Sequence, residues 1–237
     1  MNIHYVLMVS FYQSDNSLRT EELIFALFEN VRNRCISRII VFNESNENPI
    51  ESDKITYVDV SAREQMTYKD FFEYANEHLV GERCILANAD IVITEDIMKL
   101  SFRDLKGIFI CLSRWDKGGG QNNVDGIQGG DSQDTWIFMS PVKQGLVNDS
   151  DYTLGVLFSD SALSYLAIKN GYIPWNPAKD VVTNHIHQTG YRPYKSPEVQ
   201  DEALDVTDGH YTILDPTHIE EEIKTRTFRE TGRSRED

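Results

Sequence analysis

The stretch RCILANADIVITEDI, Arg83 to Ile97, runs from an aliphatic segment into Asn88-Ala89-Asp90 and out again through Ile91, Val92 and Ile93. A carboxylate inside such a run is costly to bury alone, so Asp90 needs a counter-charge, an opening to solvent or a bound cation. The segment CILANADIVI reads as a strand that stops at the motif. If that strand ends near Ala87, the motif lies on the rim of a sheet. Residues two apart in an extended chain project to one side, so Asn88 and Asp90 can share one face and one ligand. Mg2+ or Mn2+ is commonly held by one or two carboxylates with phosphate oxygens completing the shell. An Asx turn that simply closes the strand is the plain alternative.

Working outward, HYVLMVSFY (His4 to Tyr12) reads as a buried strand. A helix follows, capped by Asn16 or Ser17, with Leu23, Ile24, Leu27, Phe28 and Val31 at helical spacing. ISRIIVFNES and KITYVDVS are further strands, TYKDFFEYANEHL is a helix with Phe71, Phe72 and Ala75 on one side, and LKGIFICLSRW is another strand. Strand and helix alternate, which predicts an α/β fold with a mixed, mostly parallel central sheet flanked by helices. Ligands of such sheets bind beyond the carboxyl ends of the strands. The strand ends here carry Phe11 and Tyr12, Asn43, Ser61 with Arg63, Asn88 with Asp90, and Arg114 with Trp115. A parallel sheet would gather them on one rim.

The second half opens with a long Gly-rich polar loop, Asp116 to Asp134, of the kind that is functional or disordered. TWIFMSP is then a strand. TLGVLFSDSALSYLAIKNGY reads as an extended run, a cap at Ser159 or Asp160, and a helix burying Leu163, Leu166 and Ala167 before Gly171 stops it. IPWNPAKDVVTNHIHQTGYRPY returns as an extended segment. From about Glu198 the composition turns polar, so residues 1–197 are expected to form the domain and 198–237 an acidic extension, partly disordered near its end.

The chain has 237 residues, a formal net charge of −15, 40% hydrophobic and 26% charged residues. That is ordinary for a globular protein. No basic stripe is present, which argues against nucleic acid as a partner. No apolar run approaches the roughly 20 residues that span a bilayer. The first residues are too short and mixed for a signal peptide. Cys35, Cys84 and Cys111 show no metal or redox spacing and read as buried free thiols, so a cytoplasmic location is expected.

Several residues point to chemistry. His185 and His187, two apart, can face one way, and imidazole suits Mn2+ better than Mg2+. A hydrogen-bonded surface pair is the plain alternative. Asp160 at a helix start is a cap, a general base, or both. Asp134 can hydrogen-bond a hydroxylated ligand or be the base itself. Tyr12, Tyr68 and Trp115 can stack on a base or sugar face, and Arg63 and Arg114 can fork onto a diphosphate. Strand-end aromatics also simply close cores.

The order of these parts resembles GT-A-type glycosyltransferases. LANADIVI looks like their Asp-x-Asp metal motif, with Asn88 in the first acidic position, and LGVLFSDSALSYLAIKNGY resembles the segment that places an acidic residue at a helix start below the acceptor. The run SRWD…QDTWIF…SDSALSYLAIKNGYIPWNP…TNHIH is similar to small glycosyltransferase domains of bacterial surface-polysaccharide loci and large DNA viruses. The resemblance covers roughly residues 3–195 and implies a single-domain GT-A (Rossmann-like) fold. It implies a nucleoside-diphosphate sugar donor, UDP-sugar favoured, a glycan or lipid-linked acceptor, and Mn2+ or Mg2+ at Asp90 with His187 and His185. Phe11, Tyr12, Arg63, Tyr68, Asn88, Ala89, Asp90 and Arg114 would serve the donor. Trp115, Asp131 and Asp134 would serve the acceptor or sugar, and Asp160, with Asp134 as the other catalytic residue, would take the proton of the acceptor hydroxyl in an inverting transfer. A sugar nucleotidyltransferase and a non-catalytic nucleotide- or glycan-binding domain are the competing readings.

Overall fold

The computed structural model describes residues 4–62, 65–116, 126–191, 202–221 and 229–230, the last pair as backbone only. In chain order the first part is β1 (Tyr5–Phe11), α1 (Ser17–Arg32), β2 (Ile36–Asn43), β3 (Ile55–Asp59), α2 (Tyr68–His78), β4 (Arg83–Ala87) and β5 (Ile91–Ile93). A 3-10 turn (Glu95–Leu100) leads to β6 (Ile108–Ser113), β7 (Trp115–Asp116), β8 (Gly126–Ile127) and β9 (Gln133–Met139). Then come α3 (Gln144–Asp149), α4 (Ser159–Lys169), β10 (Ile173–Trp175), β11 (Thr183–His185), α5 (Glu202–Val206), β12 (Thr212–Ile213) and β13 (Arg229–Glu230).

The central sheet has seven strands in the order β10-β6-β9-β4-β1-β2-β3. β1 runs parallel to both β2 and β4, and β2 parallel to β3. β9 opposes its neighbours β4 and β6, and β10 is parallel to β6. The sheet is therefore mixed and mostly parallel, as the alternation of elements predicts. Along β1, Val6 and Met8 face one layer while Tyr5, Leu7 and Val9 face the other, the two-residue period of a strand buried on both sides. α1 covers one face with Leu23 and Leu27, and α2 and α4 cover the other with Phe71, Phe72, Leu163 and Leu166. Asn16 caps α1 by accepting from the Leu18 N–H at 3.1 Å, and Thr67 and Asp70 cap α2 reciprocally.

Two expectations are corrected. The strand of CILANADIVI stops at the motif, as expected, but Ile91–Ile93 form a separate strand. The chain leaves the main sheet at Ala87, turns with the Ile91 N–H donating to the Asn88 carbonyl at 3.1 Å, and re-enters a second sheet, β5-β11-β7-β8. The turn carries Asp90 towards its partners rather than along an extended line with Asn88. Second, α4 is capped by Phe158, in a left-handed conformation at φ 63°, and not by Ser159 or Asp160. Asp160 lies in the first turn, its Oδ1 accepting from the Ser161 N–H at 2.8 Å. Gly171 does end the helix, at φ 73°.

Residues 202–221, within the expected extension, pack onto the preceding described residues. Ala203 and Leu214 are buried, and the Leu214 N–H donates to the Gly130 carbonyl at 2.9 Å. Buried Asn176 donates to the Leu214 carbonyl at 2.6 Å. The approach at Gly130 leaves no space for a side chain: a Cβ there would sit 2.6 Å from the Leu214 carbonyl and 2.8 Å from the Asp215 nitrogen. Both obstacles are backbone, so Gly130→Ala should destabilise the protein by about 1–3 kcal/mol, read as a lower denaturant midpoint. Most of the terminal stretch expected to be disordered, and residues 117–125 of the Gly-rich loop, lie outside the described residues. The three cysteines are buried and free, and no described helix is long and apolar enough to cross a membrane.

Candidate functional site

The carboxyl ends of β1, β4 and β6 border a cavity of about 380 Å³. Because β9 runs the opposite way, it brings its amino end, with Asp134, to the same rim. The second sheet closes one side by pairing β11 with β5 and β7, which fixes His185 over Asp90 and Asp116. The segment from Leu154 to Asp160 closes another.

The acidic turn holds the most concentrated chemistry. Asp90 Oδ2 accepts from Arg19 Nη2 at 2.5 Å and lies 3.2 Å from His185 Nε2 and 3.7 Å from His187 Nδ1. All four side chains are buried or nearly so. Burial acts to raise the Asp90 pKa, but the charges and hydrogen bonds of His185 and Arg19 outweigh it and hold the carboxyl well below its usual range. Burial opposes charge on His185, yet the Asp90 carboxylate keeps that imidazole raised. His187 is lowered, first by burial and then by the Arg19 charge. The buried carboxylate thus has its partners, above all Arg19.

The outer nitrogen of each ring is also engaged. His185 Nδ1 lies 2.8 Å from Asp116 Oδ1, and His187 Nε2 lies 3.0 Å from the Tyr191 carbonyl. A carbonyl accepts only, so His187 carries its proton on Nε2 and turns the Nδ1 lone pair inward. With its Nδ1 proton on Asp116, His185 can likewise present Nε2. A carboxylate or carbonyl behind each imidazole is the arrangement that orients histidine ligands on metals. One ligand atom from each of Asp90, His185 and His187 falls within 4.8 Å of the others. One carboxylate and two imidazoles suit Mn2+ and allow Mg2+ less readily.

Next to this triad, Asp134 is fully engaged. Its Oδ1 accepts from Asn88 Nδ2 at 2.6 Å and its Oδ2 from Arg114 Nη1 at 2.9 Å. Arg114 Nε reaches Asp116 Oδ1 at 3.2 Å, so Asp116 joins the two clusters. Asp160 differs. Its oxygens accept only backbone N–H groups, Gln133 at 3.0 Å and Ser161 at 2.8 Å, and no cation pairs with it among the described residues. Burial, then the charge of Asp134, push its pKa up to about 7. Beside it Leu154, Val156, Leu157 and Phe158 make an apolar wall. Leu157 is 51% exposed there, and the Phe158 ring packs on Tyr211 with centroids 5.4 Å apart. A bulky residue at positive φ is unusual, and such strain concentrates at functional sites.

Of the residues singled out in the sequence, Tyr12, Asn88, Ala89, Asp90, Arg114, Asp131, Asp134, Asp160, His185 and His187 line the cavity. Phe11 is packed in the core and does not reach it. Tyr68 is fully buried against Trp136, with its hydroxyl 3.5 Å from Ser159 Oγ, and supports the cavity from beneath. Trp115 lies outside the lining, its indole N–H donating to the Ala178 carbonyl at 2.8 Å. Arg63 lies outside the described residues. Arg19 and Asp116 had not been singled out. Arg19 has a signal in its position: the first helical turn after the first strand of a parallel sheet stands at the ligand rim. Asp116 had none apart from its place two residues beyond Arg114.

No protein-family profile matches the sequence, and no curated protein matches it. Among solved structures, the chain is similar to a mannosyltransferase from Pyrobaculum calidifontis in complex with GDP-Man and Mn2+, at 14% identity and a TM-score of 0.48. That match covers 79% of this chain and 58% of the other. It is also similar to 4-diphosphocytidyl-2C-methyl-D-erythritol synthase from Anaerococcus prevotii, at 11% identity and a TM-score of 0.47, over 88% of this chain and 100% of the other. A third match is the glycosyltransferase GlyE of Streptococcus pneumoniae, at 8% identity and 0.45, over 86% and 60% of the two chains. The chain therefore spans about 60% of the length of the two glycosyltransferases. Glycosyltransferases and a nucleotidyltransferase match at the same level.

Proposed function

We propose that the protein is a metal-assisted, inverting glycosyltransferase that moves a sugar from a nucleoside-diphosphate donor, with UDP-sugars favoured, to a hydroxyl of a glycan or lipid-linked acceptor. The observation that carries this reading is one cavity holding both a buried Asp-His-His triad, each imidazole backed by an acceptor, and a separate carboxyl without a cationic partner among the described residues. Asp90, His185 and His187 would hold Mn2+ or Mg2+. Such an ion supplies neutralisation of the charge that grows on a departing diphosphate. The Tyr12 ring, at the end of β1, would face the base, and Asn88 and Arg114 would border the diphosphate and sugar.

Asp160 is the base. It would accept the proton of the acceptor hydroxyl as that oxygen attacks the anomeric carbon from the face opposite the leaving diphosphate. Asp134 is less suited, because Asn88 and Arg114 already occupy its two oxygens. Its charge instead adds to burial, the larger cause, in raising the Asp160 pKa to about 7, where a general base works best. The apolar wall from Leu154 to Phe158 would take the non-polar face of the acceptor, with Asp131 at the mouth for its hydroxyls. A nucleotidyltransferase would share the layout. Such enzymes cradle phosphates on a Gly-rich loop after the first strand, and Tyr12 to Asn16 contain no glycine. The free buried thiols favour a reducing compartment, and we place the protein in the cytoplasm.

Thermal unfolding with UDP, GDP, CMP and dTDP, each with and without Mn2+, tests the reading. A nucleotide at about 100 times its Kd adds about 2.7 kcal/mol. At this size that raises Tm by about 5–10 °C. The expected result is a shift for one nucleotide that requires Mn2+. No shift with any pair would count against a donor site.

A further inference from the structure

We propose that Arg19 is a built-in counter-cation for Asp90, so that the Asp-His-His triad takes up a divalent ion only together with a diphosphate. This rests on the metal-site reading above and adds a rule for how the site fills. The carboxylate oxygen nearest both histidines, Asp90 Oδ2, is the same oxygen that accepts from Arg19 Nη2 at 2.5 Å. A metal bound between that oxygen and the imidazoles would stand against a guanidinium.

That oxygen cannot fully serve both. A divalent ion bound at Asp90 Oδ2 would displace Arg19 Nη2 and leave that donor buried without its closest acceptor, since Glu22 and the Ile186 carbonyl take only Nη1. A diphosphate added with the ion would offer Nη2 new acceptors. Arg19 is equipped for such an exchange. Its guanidinium is anchored on Nη1, to Glu22 Oε2 at 2.9 Å and the Ile186 carbonyl at 3.3 Å. Its Nε is buried without a hydrogen-bond partner among the described residues, although a buried donor normally finds one. Glu22 in turn accepts from the Thr189 N–H at 2.8 Å and its hydroxyl at 3.0 Å, which ties Arg19 to the segment carrying His187.

The test is binding of Mn2+, read by electron paramagnetic resonance of the free ion, with and without UDP or GDP. In the wild-type protein Mn2+ alone should bind weakly and tighten by about ten-fold or more when the nucleotide is present, within the usual range of site coupling. Arg19→Gln should bind Mn2+ alone about ten-fold more tightly and lose most of the dependence on nucleotide. Arg19→Met, also uncharged, is the second variant if the first does not fold. Arg19→Lys keeps the charge and should stay weak for Mn2+ alone. Asp90→Asn should abolish Mn2+ binding in the wild-type and Arg19→Gln backgrounds. If the uncharged variants bind Mn2+ alone no more tightly than wild type, while Asp90→Asn still abolishes binding, the role of Arg19 is wrong and the metal site stands. If no form binds Mn2+ under any condition, the metal reading falls and this inference with it.

Discussion

Asp160→Asn is expected to reduce sugar transfer by about 10²–10⁴-fold, the usual contribution of a positioned general base. Binding of nucleotide and Mn2+ should change little, because Asp160 lies in the wall from Leu154 to Asp160 and not among the triad. The pH dependence gives a second readout. A base works as the carboxylate, and burial together with Asp134 holds the Asp160 pKa at about 7. The wild-type rate should therefore rise with pH, reach half its plateau at about 7 and fall off on the acid side. The residual activity of Asp160→Asn should lack that limb. A small loss of rate, or a variant that keeps the limb, would assign the proton transfer elsewhere.

Asp90→Asn should have the second large effect, and on two properties at once. Removing the carboxylate charge leaves the Arg19 guanidinium buried without its closest partner, 2.5 Å away, and removes the counter-charge of His185. Breaking one side of a buried ion pair costs about 3–5 kcal/mol, because the remaining charge stays desolvated. Equilibrium unfolding in urea should show that loss in the absence of any ligand. The Mn2+-dependent part of nucleotide binding should disappear as well. A variant as stable as wild type would mean that Arg19 finds another acceptor, with Glu22 beside it at 2.9 Å the first to examine.

Much of the architecture was legible in the sequence because its elements are strongly patterned. The aliphatic runs of β1, β2, β4 and β6 are buried on both faces, and the caps at Asn16 and Thr67 lie where polar residues precede helical spacing. The stop at the motif in CILANADIVI was legible, but the entry of Ile91–Ile93 into a second sheet was not. Ile91 to Ile93 have the composition of a continued strand, and only the pairing of β5 with distant β11 shows why the chain turns. The cap of α4 is not legible because Phe158 adopts a left-handed conformation that aromatic residues rarely take. The packing of residues 202–221 depends on single contacts, such as Leu214 on Gly130, that a polar composition hides.

In the site, His185 and His187 could be paired because residues two apart in an extended segment face one way; their grouping with Asp90 was implied by the resemblance, and the antiparallel pairing of β11 with β5 brings His185 to Asp90. Arg19 could not be paired with Asp90 by spacing, since 71 residues separate them. The linkage of Arg114, Asp116 and Asp134 depends on the antiparallel course of β9, which brings its first residues rather than its last to the rim.

A cavity that cleaves a nucleoside-diphosphate sugar with the help of a divalent ion releases nucleoside diphosphate, whereas one that joins a nucleotide to a sugar phosphate releases pyrophosphate. The direct measurement is the product released from a panel of UDP-, GDP- and dTDP-sugars with Mn2+, assayed beside nucleoside triphosphates with sugar 1-phosphates. The predicted result is nucleoside diphosphate from one donor, dependent on Mn2+ and abolished by Asp90→Asn. Pyrophosphate release from the triphosphate mixtures, or no product from any donor while the protein remains folded, would contradict it.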